Sequence, residues 1–180
     1  MQDERWKILR TKLIGSFSIR EVELPTKKRL DYLVITYPQA VAVIALTDDQ
    51  KVVMVGQYRF AVNEYSWEIP SGGIEDGESA DNCARRELRE ETGYIPGRIE
   101  PIIIYHPSNA ASDQVIHIFL ALDLERTEPE LVREEPVEQT LKVALVPFDE
   151  LLRRVQHGEI RDASTMIAVL LYAQRSSDAK

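Results

Sequence analysis

Features that mark secreted and membrane proteins are missing from this sequence of 180 residues. Its one cysteine, Cys83, cannot form a disulfide within the chain, which is typical of proteins in a reducing compartment. No apolar run reaches the roughly 18 residues that a membrane span needs. The opening residues, Met-Gln-Asp-Glu-Arg-Trp, lack the apolar stretch of a signal peptide. We therefore expect a cytoplasmic protein without a membrane partner.

A cationic excess is missing as well. The chain has 22 Lys and Arg residues against 30 Asp and Glu residues, a formal net charge of −8 at pH 7. Because affinity for a phosphate backbone rests on cationic side chains, we expect no nucleic-acid partner. Hydrophobic residues make up 44% of the chain, which argues against intrinsic disorder and predicts a soluble globular fold with a proper core.

The negative charge is concentrated in two segments. Residues 72–94 carry seven acids and three bases, and residues 125–138 carry six acids and two bases. Each segment has a net charge of −4, so the two together account for the whole excess. Both are therefore candidate functional elements.

The order of predicted elements indicates an α/β protein with a mixed sheet and helices packed on it. Three short strands come first and predict a small antiparallel meander over 1–38, followed by a domain over 39–180. The turn at 47–51 has hairpin chemistry. The predicted strands are 6–14, 17–24, 30–37, 41–46, 52–57, 67–69, 99–105, 115–122 and 141–146, and the predicted helices are 79–92, 149–157 and 163–175.

The helix predicted over 79–92 has an unusual arrangement of charges. At 100° per residue, Glu87, Glu90 and Glu91 extend the stripe of small apolar residues, whereas Asp81 and Arg89 lie on the opposite side. A solvated acidic helix would show the reverse pattern. Three inward carboxylates need a cation, so this face predicts a divalent metal site. Mg²⁺ is the first choice, with Mn²⁺ as a substitute, because the available ligands are hard oxygens.

A glycine-rich loop leads directly into this helix. Gly72, Gly73 and Gly77 would let the backbone approach a ligand closely. A glycine pair alone is weak support for a site. Its position next to an inward-facing acidic helix makes the interpretation much stronger.

The loop and the helix together resemble the Nudix box, G-x5-E-x7-R-E-U-x-E-E-x-G-U. Gly72, Glu78 and the run Arg86-Glu-Leu-Arg-Glu-Glu-Thr-Gly-Tyr94 occupy its positions, and only Tyr94 varies mildly from the usual aliphatic residue. The flanks 57–59, 67–70 and 150–168 resemble the branch of ADP-ribose pyrophosphatases and nucleoside diphosphate sugar hydrolases. The resemblance covers about residues 40–172.

This resemblance implies a fold, a reaction and a partner. The fold would be a Nudix-type α/β/α sandwich with a mixed sheet. The reaction would be metal-dependent hydrolysis of the diphosphate linkage of a nucleoside diphosphate sugar, such as ADP-ribose or GDP-mannose, to a nucleoside monophosphate and a sugar phosphate. Members of the branch are typically homodimers whose N-terminal strands help to build the partner's site, which would give the meander a role.

The resemblance also assigns roles within the acidic segments. Glu87 and Glu91 would be the first metal ligands, Glu90 the next, and the carbonyl of Ser71 would complete the set. Arg86 would form an orienting ion pair with Glu78 beside the reacting groups. The general base would come from the second acidic segment, where Glu138 aligns best, Glu135 is a close competitor and Glu134 a third candidate.

Substrate contacts are expected from the preceding loops. Arg59 is a candidate phosphate clamp because its guanidinium offers paired donors, although a surface ion pair explains it equally well. Glu68 would bind ribose or base edges. Gly72 and Gly73, which have no side chains, would let the substrate approach the backbone closely.

One loop departs from the branch. At 105–115, Asn109-Ala-Ala111 replaces a glycine region that is usually followed by an acid, and Gln114 stands where Glu is frequent. The departure keeps a second interpretation open, in which a Nudix hydrolase acts on dinucleoside polyphosphates, NADH or other nucleotides. A third interpretation, a catalytically silent nucleotide sensor, is weaker because all the glutamates of the box are intact.

Overall fold

The computed structural model describes residues 5–127 and 141–178. They form a mixed α/β chain, as predicted, and among them no helix is long and apolar enough to cross a membrane. The strands are β1 (Lys7–Ile14), β2 (Phe17–Glu23), β3 (Arg29–Ile35), β4 (Ala40–Ala45), β5 (Lys51–Arg59), β6 (Glu64–Glu68), β7 (Ser71–Gly73), β8 (Tyr94–Tyr105), β9 (Ile116–Arg126) and β10 (Lys142–Pro147), and the helices are α1 (Ala80–Thr92), α2 (Phe148–Gln156) and α3 (Ala163–Asp178).

The chain divides into two compact units. The smaller consists of Met1–Gln39 and His106–Val115, and the larger of Ala40–Tyr105 and Ile116–Lys180. The divergent loop at 106–115 therefore belongs to the same unit as the N-terminal strands. The functional domain boundary between residues 38 and 39 stays a prediction.

The smaller unit is built on the predicted antiparallel meander, which is confirmed as the sheet β1-β2-β3. The loop lies against the end of β3, where the Ile35 N–H donates to the Ala111 carbonyl at 2.8 Å. The Tyr32 hydroxyl donates to the Ala110 carbonyl at 2.6 Å. Arg20 Nη2 donates to Asp113 Oδ2 at 2.8 Å, which anchors the far end of the loop. The loop is thus held by side chains from two strands.

The larger unit contains two sheets. The first has the order β7-β4-β9-β8, in which β4 and β9 run parallel and the other pairs antiparallel, and the second has the order β10-β5-β6. The turn predicted at 47–51 forms, since the Thr47 N–H donates to the Lys51 carbonyl at 2.9 Å. In the described part of the chain, however, only Leu46 and Val52 pair across it, so the prediction of a β-hairpin between β4 and β5 is wrong. Strand β4 is buried on both faces, and its partners are β7 and β9 rather than β5.

Alternate residues of β4 face two separate apolar clusters, which gives the α/β/α arrangement that was predicted. Val41 and Val43 pack with Leu88 of α1 on one face. Ile44 packs on the other face with Leu151 of α2. Because both faces are covered by helices, α1 and its carboxylates are fixed against one side of a rigid mixed sheet.

Candidate active site

Helix α1 carries the first group of candidate residues and has the predicted orientation. It ends at Gly93, which adopts φ 76° and whose N–H donates to the Arg89 carbonyl at 2.8 Å. Glu87 and Glu91 are 7% and 6% exposed, so their inward orientation is confirmed. Glu90 is only half-buried, at the edge of the same face. The burial of two carboxylates on one helix requires polar or cationic partners.

Arg86 supplies a cation among these carboxylates. Its Nε and Nη2 donate to the two oxygens of Glu78 at 2.9 and 3.0 Å, and Nη2 also donates to the Gly73 carbonyl at 3.0 Å. Its Nη1 donates to Glu87 Oε1 at 2.8 Å and to Glu90 Oε2 at 3.1 Å. One guanidinium thus joins the glycine-rich loop to two carboxylates of the helix.

The ion pairing shifts the pKa values of both partners. Hydrogen bonds from Arg86 lower the pKa of Glu78 from 4.5 to about 2. The same bonds, with the nearby charge of Glu87, raise the pKa of Arg86 further above its usual range. The pair therefore remains charged throughout the physiological range.

Strand β7 brings the backbone of the loop against the helix. Pairing of β7 with β4 places Ser71 opposite Ala42. The Ser71 N–H donates to Glu91 Oε2 at 3.0 Å, so the segment is bonded directly to a candidate metal ligand. A Cβ atom added at Gly72 would collide with the carboxylate of Glu87, whereas one added at Gly73 would meet nothing within 4 Å. The two glycines have different roles, and only Gly72 is required for the close approach of Glu87.

A cleft of about 490 Å³ opens on the second sheet of the same unit. Arg59 and Glu68 form a bidentate ion pair there, with Nε–Oε1 and Nη2–Oε2 distances of 3.0 and 2.5 Å. Glu68 is 5% exposed. Its hydrogen bonds raise the pKa of Arg59, and the negative charges of Glu91 and Asp162 raise it further. The cleft is lined by Arg59, Ala61, Val62, Glu64, Ser66, Glu68, Arg161, Asp162 and Ala163.

The oxygen atoms around α1 suit a divalent cation. A side chain at Gly72 would collide with the Glu87 carboxylate, so a glycine is needed for this carboxylate to lie against the backbone, and carboxylate oxygens are the hard ligands that such a cation prefers. Across residues 5–127 and 141–178, no three His, Cys, Asp or Glu side chains converge in a geometry that would hold a metal ion. Arg86 instead donates to both Glu87 and Glu90. Arg86 therefore forms the ion pair with Glu78 that was expected and also bonds to two carboxylates of the helix.

The family follows from comparison with known proteins. The model of the NUDIX domain matches residues 36–166, most of the chain. The chain belongs to the NUDIX family.

Relatives of this Nudix chain place it within the family. It is 36% identical over 151 residues to an ADP-ribose pyrophosphatase of Bacillus subtilis, covering 84% of this chain and 80% of the relative. It is 35% identical over 156 residues to a methanol dehydrogenase activator of Bacillus methanolicus, covering 87% and 83%. The crystal structure of an ADP compounds hydrolase superposes with a TM-score of 0.82 at 20% identity, covering 97% of this chain and 96% of the other, which shows the shared fold. The predicted family, branch and fold are confirmed, and the chain is a Nudix pyrophosphohydrolase.

The predicted site residues of this Nudix chain divide into three groups. Ser71, Gly72, Gly73 and the box residues of α1 are brought together by β7 and Arg86. Arg59 and Glu68 lie together in the cleft and bond to each other. Of the two interpretations of Arg59, phosphate clamp or ion pair, the structure therefore shows the ion pair. The candidate general bases Glu134, Glu135 and Glu138 lie outside the described residues.

One feature of the cleft was not anticipated from the sequence. Asp162 lines it, and burial raises the pKa of its carboxyl group. Asp162 also accepts the backbone N–H of Thr165 at 2.8 Å and so caps α3. The three-residue spacing of an aspartate and a threonine at a predicted helix start is the signal that could have identified it.

The glycines of β7 give the first prediction. We expect Gly72→Ala to lower hydrolytic activity and to destabilise the fold by about 1–3 kcal/mol, because the new methyl group displaces the Glu87 carboxylate. Gly73→Ala is the matched control, since its methyl group points into open space. Urea unfolding and steady-state kinetics of both variants test this, and equal effects of the two would contradict it.

The lowered pKa of Glu78 gives a second prediction. A carboxylate with a depressed pKa stabilises the folded state above its unfolded value, and this contribution is lost as pH falls from about 4.5 through about 2. Glu78→Gln should therefore lower the thermal unfolding midpoint at pH 7, and its difference from the unmodified chain should shrink in that acid range. Glu75→Gln, an exposed acid of the same loop, should show no such pattern. A difference that is independent of pH would contradict the ion-pair contribution.

Proposed function

We propose that this chain hydrolyses the diphosphate linkage of ADP-ribose or a similar nucleoside diphosphate sugar. The observation that carries this proposal is the close packing of β7 against the glutamates of the box, in which the Ser71 N–H donates to Glu91 and Gly72 leaves space for the Glu87 carboxylate. The Bacillus subtilis relative is named for action on ADP-ribose. The products would be a nucleoside monophosphate and a sugar phosphate, formed in a cytoplasmic, reducing compartment.

The reaction adds water across a phosphorus–oxygen bond. The water oxygen bonds to one phosphorus, the bond from that phosphorus to the bridging oxygen breaks, and the water proton passes to a general base. Glu138 is the first candidate for that base and Glu135 the second. The bridging oxygen leaves with the other phosphate, so no oxidant or second substrate is needed.

The carboxylates of Glu87, Glu91 and Glu90, with the Ser71 carbonyl, are the proposed ligands of Mg²⁺, for which Mn²⁺ could substitute. A bound divalent cation supplies charge neutralisation and lowers the pKa of bound water. Arg86 orients Glu87 and Glu90 through its fork of donors. Arg59 and Glu68 are proposed to contact the substrate in the cleft that their ion pair lines.

A second substrate class is favoured by one observation. The loop at 105–115 departs from the usual pattern of the branch. Hydrolysis of NADH, dinucleoside polyphosphates or another nucleotide diphosphate by the same catalytic residues is therefore the second candidate.

The substrate assignment gives a third prediction. Incubation with ADP-ribose and Mg²⁺ should yield AMP and ribose 5-phosphate, with slower turnover of GDP-mannose, NADH and dinucleoside polyphosphates. Glu91→Gln should reduce turnover roughly 100-fold or more, because it removes a ligand charge while its amide oxygen can still accept from Ser71. Product chromatography measures both effects.

Controls separate the roles in this prediction. Glu75→Gln removes an exposed acid of the same segment and should leave turnover unchanged. Glu138→Gln should lower kcat more than Glu135→Gln if Glu138 is the base. Turnover of none of these substrates by the unmodified chain would refute the proposed function, and full activity of Glu91→Gln would refute the metal assignment.

We further propose that the chain is a homodimer joined through its N-terminal strands. Pairing of the strands places Ile14, Phe17 and Leu33 on one face of the sheet β1-β2-β3. These side chains are 50%, 46% and 56% exposed. Apolar side chains clustered on one sheet face are typical of a protein interface.

The dimer gives a fourth prediction. Leu33→Lys should shift the molar mass measured by light scattering from that of a dimer towards that of a monomer, because it places a charge in the proposed interface. Leu13→Lys is the matched control, since Leu13 is 73% exposed but lies on the opposite face of the sheet. A monomeric unmodified chain, or equal dissociation by both variants, would refute this interface.

A further inference from the structure

The segment Ile69-Pro70-Ser71 links the cleft to the carboxylates of α1. Glu68, directly before it, is paired with Arg59 in the cleft. Ser71, at its end, donates its N–H to Glu91 at 3.0 Å. A shift of this segment would therefore move both the proposed substrate contact and the proposed metal ligands.

Pairing with β4 holds the segment at Ser71, but its N–H groups bond to side chains of two helices. Pro70 has no N–H, so only Ile69 and Ser71 can donate. The Pro70 carbonyl accepts the Val43 N–H at 2.8 Å. The Ser71 N–H bonds to a side chain of α1, and the Ile69 N–H bonds to a side chain of α3, the hydroxyl of Thr165, at 3.0 Å. Two helices thus hold the segment through one side chain each.

The Thr165 hydroxyl is itself fixed in direction. Thr165 and Ile69 are both fully buried. The hydroxyl has one proton, which it donates to Asp162 Oδ2 at 2.7 Å, and this leaves its oxygen lone pairs for the Ile69 N–H. Asp162 also accepts the backbone N–H of Thr165 at 2.8 Å, which holds the residue at the start of α3. The hydroxyl therefore cannot turn away from Ile69 without losing a bond to a charged group.

We propose that Thr165 is a positioning residue, which sets the place of the segment Ile69–Ser71 and so aligns Glu68 with the carboxylates of α1. The inference rests on the proposed function, because it assigns to Thr165 an effect on hydrolysis. The residue acts through Ile69 and contacts neither substrate nor metal. Its loss should affect the rate more than substrate binding, since rate depends steeply on alignment.

The test compares a variant without the hydroxyl to one that keeps it. Thr165→Val has the same shape but no acceptor for the Ile69 N–H, and Thr165→Ser retains the acceptor. With ADP-ribose and Mg²⁺, we expect Thr165→Val to lower kcat about tenfold while KM changes less than about threefold. We expect Thr165→Ser to restore kcat to within about threefold of the unmodified chain.

A neighbouring hydroxyl gives the matched control for lost stability. Ser164 is 9% exposed, and its hydroxyl bonds to that of Tyr105 at 2.8 Å rather than to the segment. Ser164→Ala should lower the unfolding midpoint without lowering kcat. If Thr165→Val fails to fold, Thr165→Cys provides the same comparison, because a thiol is a similar size but a weak acceptor.

A second measurement tests, without substrate, whether Thr165 holds the segment in place. Amide hydrogen exchange of Ile69, followed by NMR on the free protein, should accelerate about tenfold or more in Thr165→Val, while the Leu46 amide, which donates to Ala121, should not change. An unchanged Ile69 amide, an unchanged kcat in Thr165→Val, or an equal loss of kcat in Thr165→Ser or Ser164→Ala would overturn the proposal. Absence of turnover by the unmodified chain would instead refute the proposed function, and the Ile69 amide would still decide whether Thr165 holds the segment.

Discussion

The bonds of the Arg86 guanidinium are the interaction on which the arrangement of the site depends. A guanidinium has five N–H donors in a fixed plane, and five oxygen atoms accept from Arg86. Two belong to Glu78 and one to the Gly73 carbonyl, both in the glycine-rich loop, and the others belong to Glu87 and Glu90. A lysine could place a similar charge there, but it could not bond to all five oxygen atoms, because its three N–H donors lie on one nitrogen atom. The arginine therefore fixes the loop and the helix relative to each other.

The same network gathers several carboxylates around a single guanidinium. Arg86 contacts three carboxylates with a single positive charge, and Glu91 lies one turn beyond Glu87 on the buried face. Buried carboxylates are stable only when their charge is matched or their oxygen atoms are hydrogen-bonded. The Ser71 N–H meets part of this requirement at Glu91. The carboxylate oxygens gathered at this face are hard ligands, which is the physical reason to propose a divalent cation there, and they agree with the concentration of acids in residues 72–94.

Local patterns predicted helix α1 and its inward carboxylates well, because the apolar stripe and the final Gly93 are encoded within a few turns. Strand β7 was not predicted, since Ser71-Gly-Gly73 has no alternating side chains and becomes a strand only by pairing with β4. The separation of β4 from β5 after the turn at 47–51 was likewise missed, because the choice of partners in a sheet depends on distant segments. The contact of Thr165 with Ile69 spans 96 positions in the chain, and no local pattern indicates it.

The candidate catalytic residues and the loop that departs from the branch belong to different compact units. The box, the Arg59–Glu68 pair and Asp162 all belong to the larger unit. In this unit β4 packs against helices on both of its faces. In such a closely packed unit a single added methyl group is destabilising, and at Gly72 it would collide with the Glu87 carboxylate. The loop at 106–115, which departs from the branch, belongs to the smaller unit and is held there by Tyr32 and Arg20. Substitutions in that loop therefore alter contacts within the smaller unit and do not touch the residues that bond to Arg86.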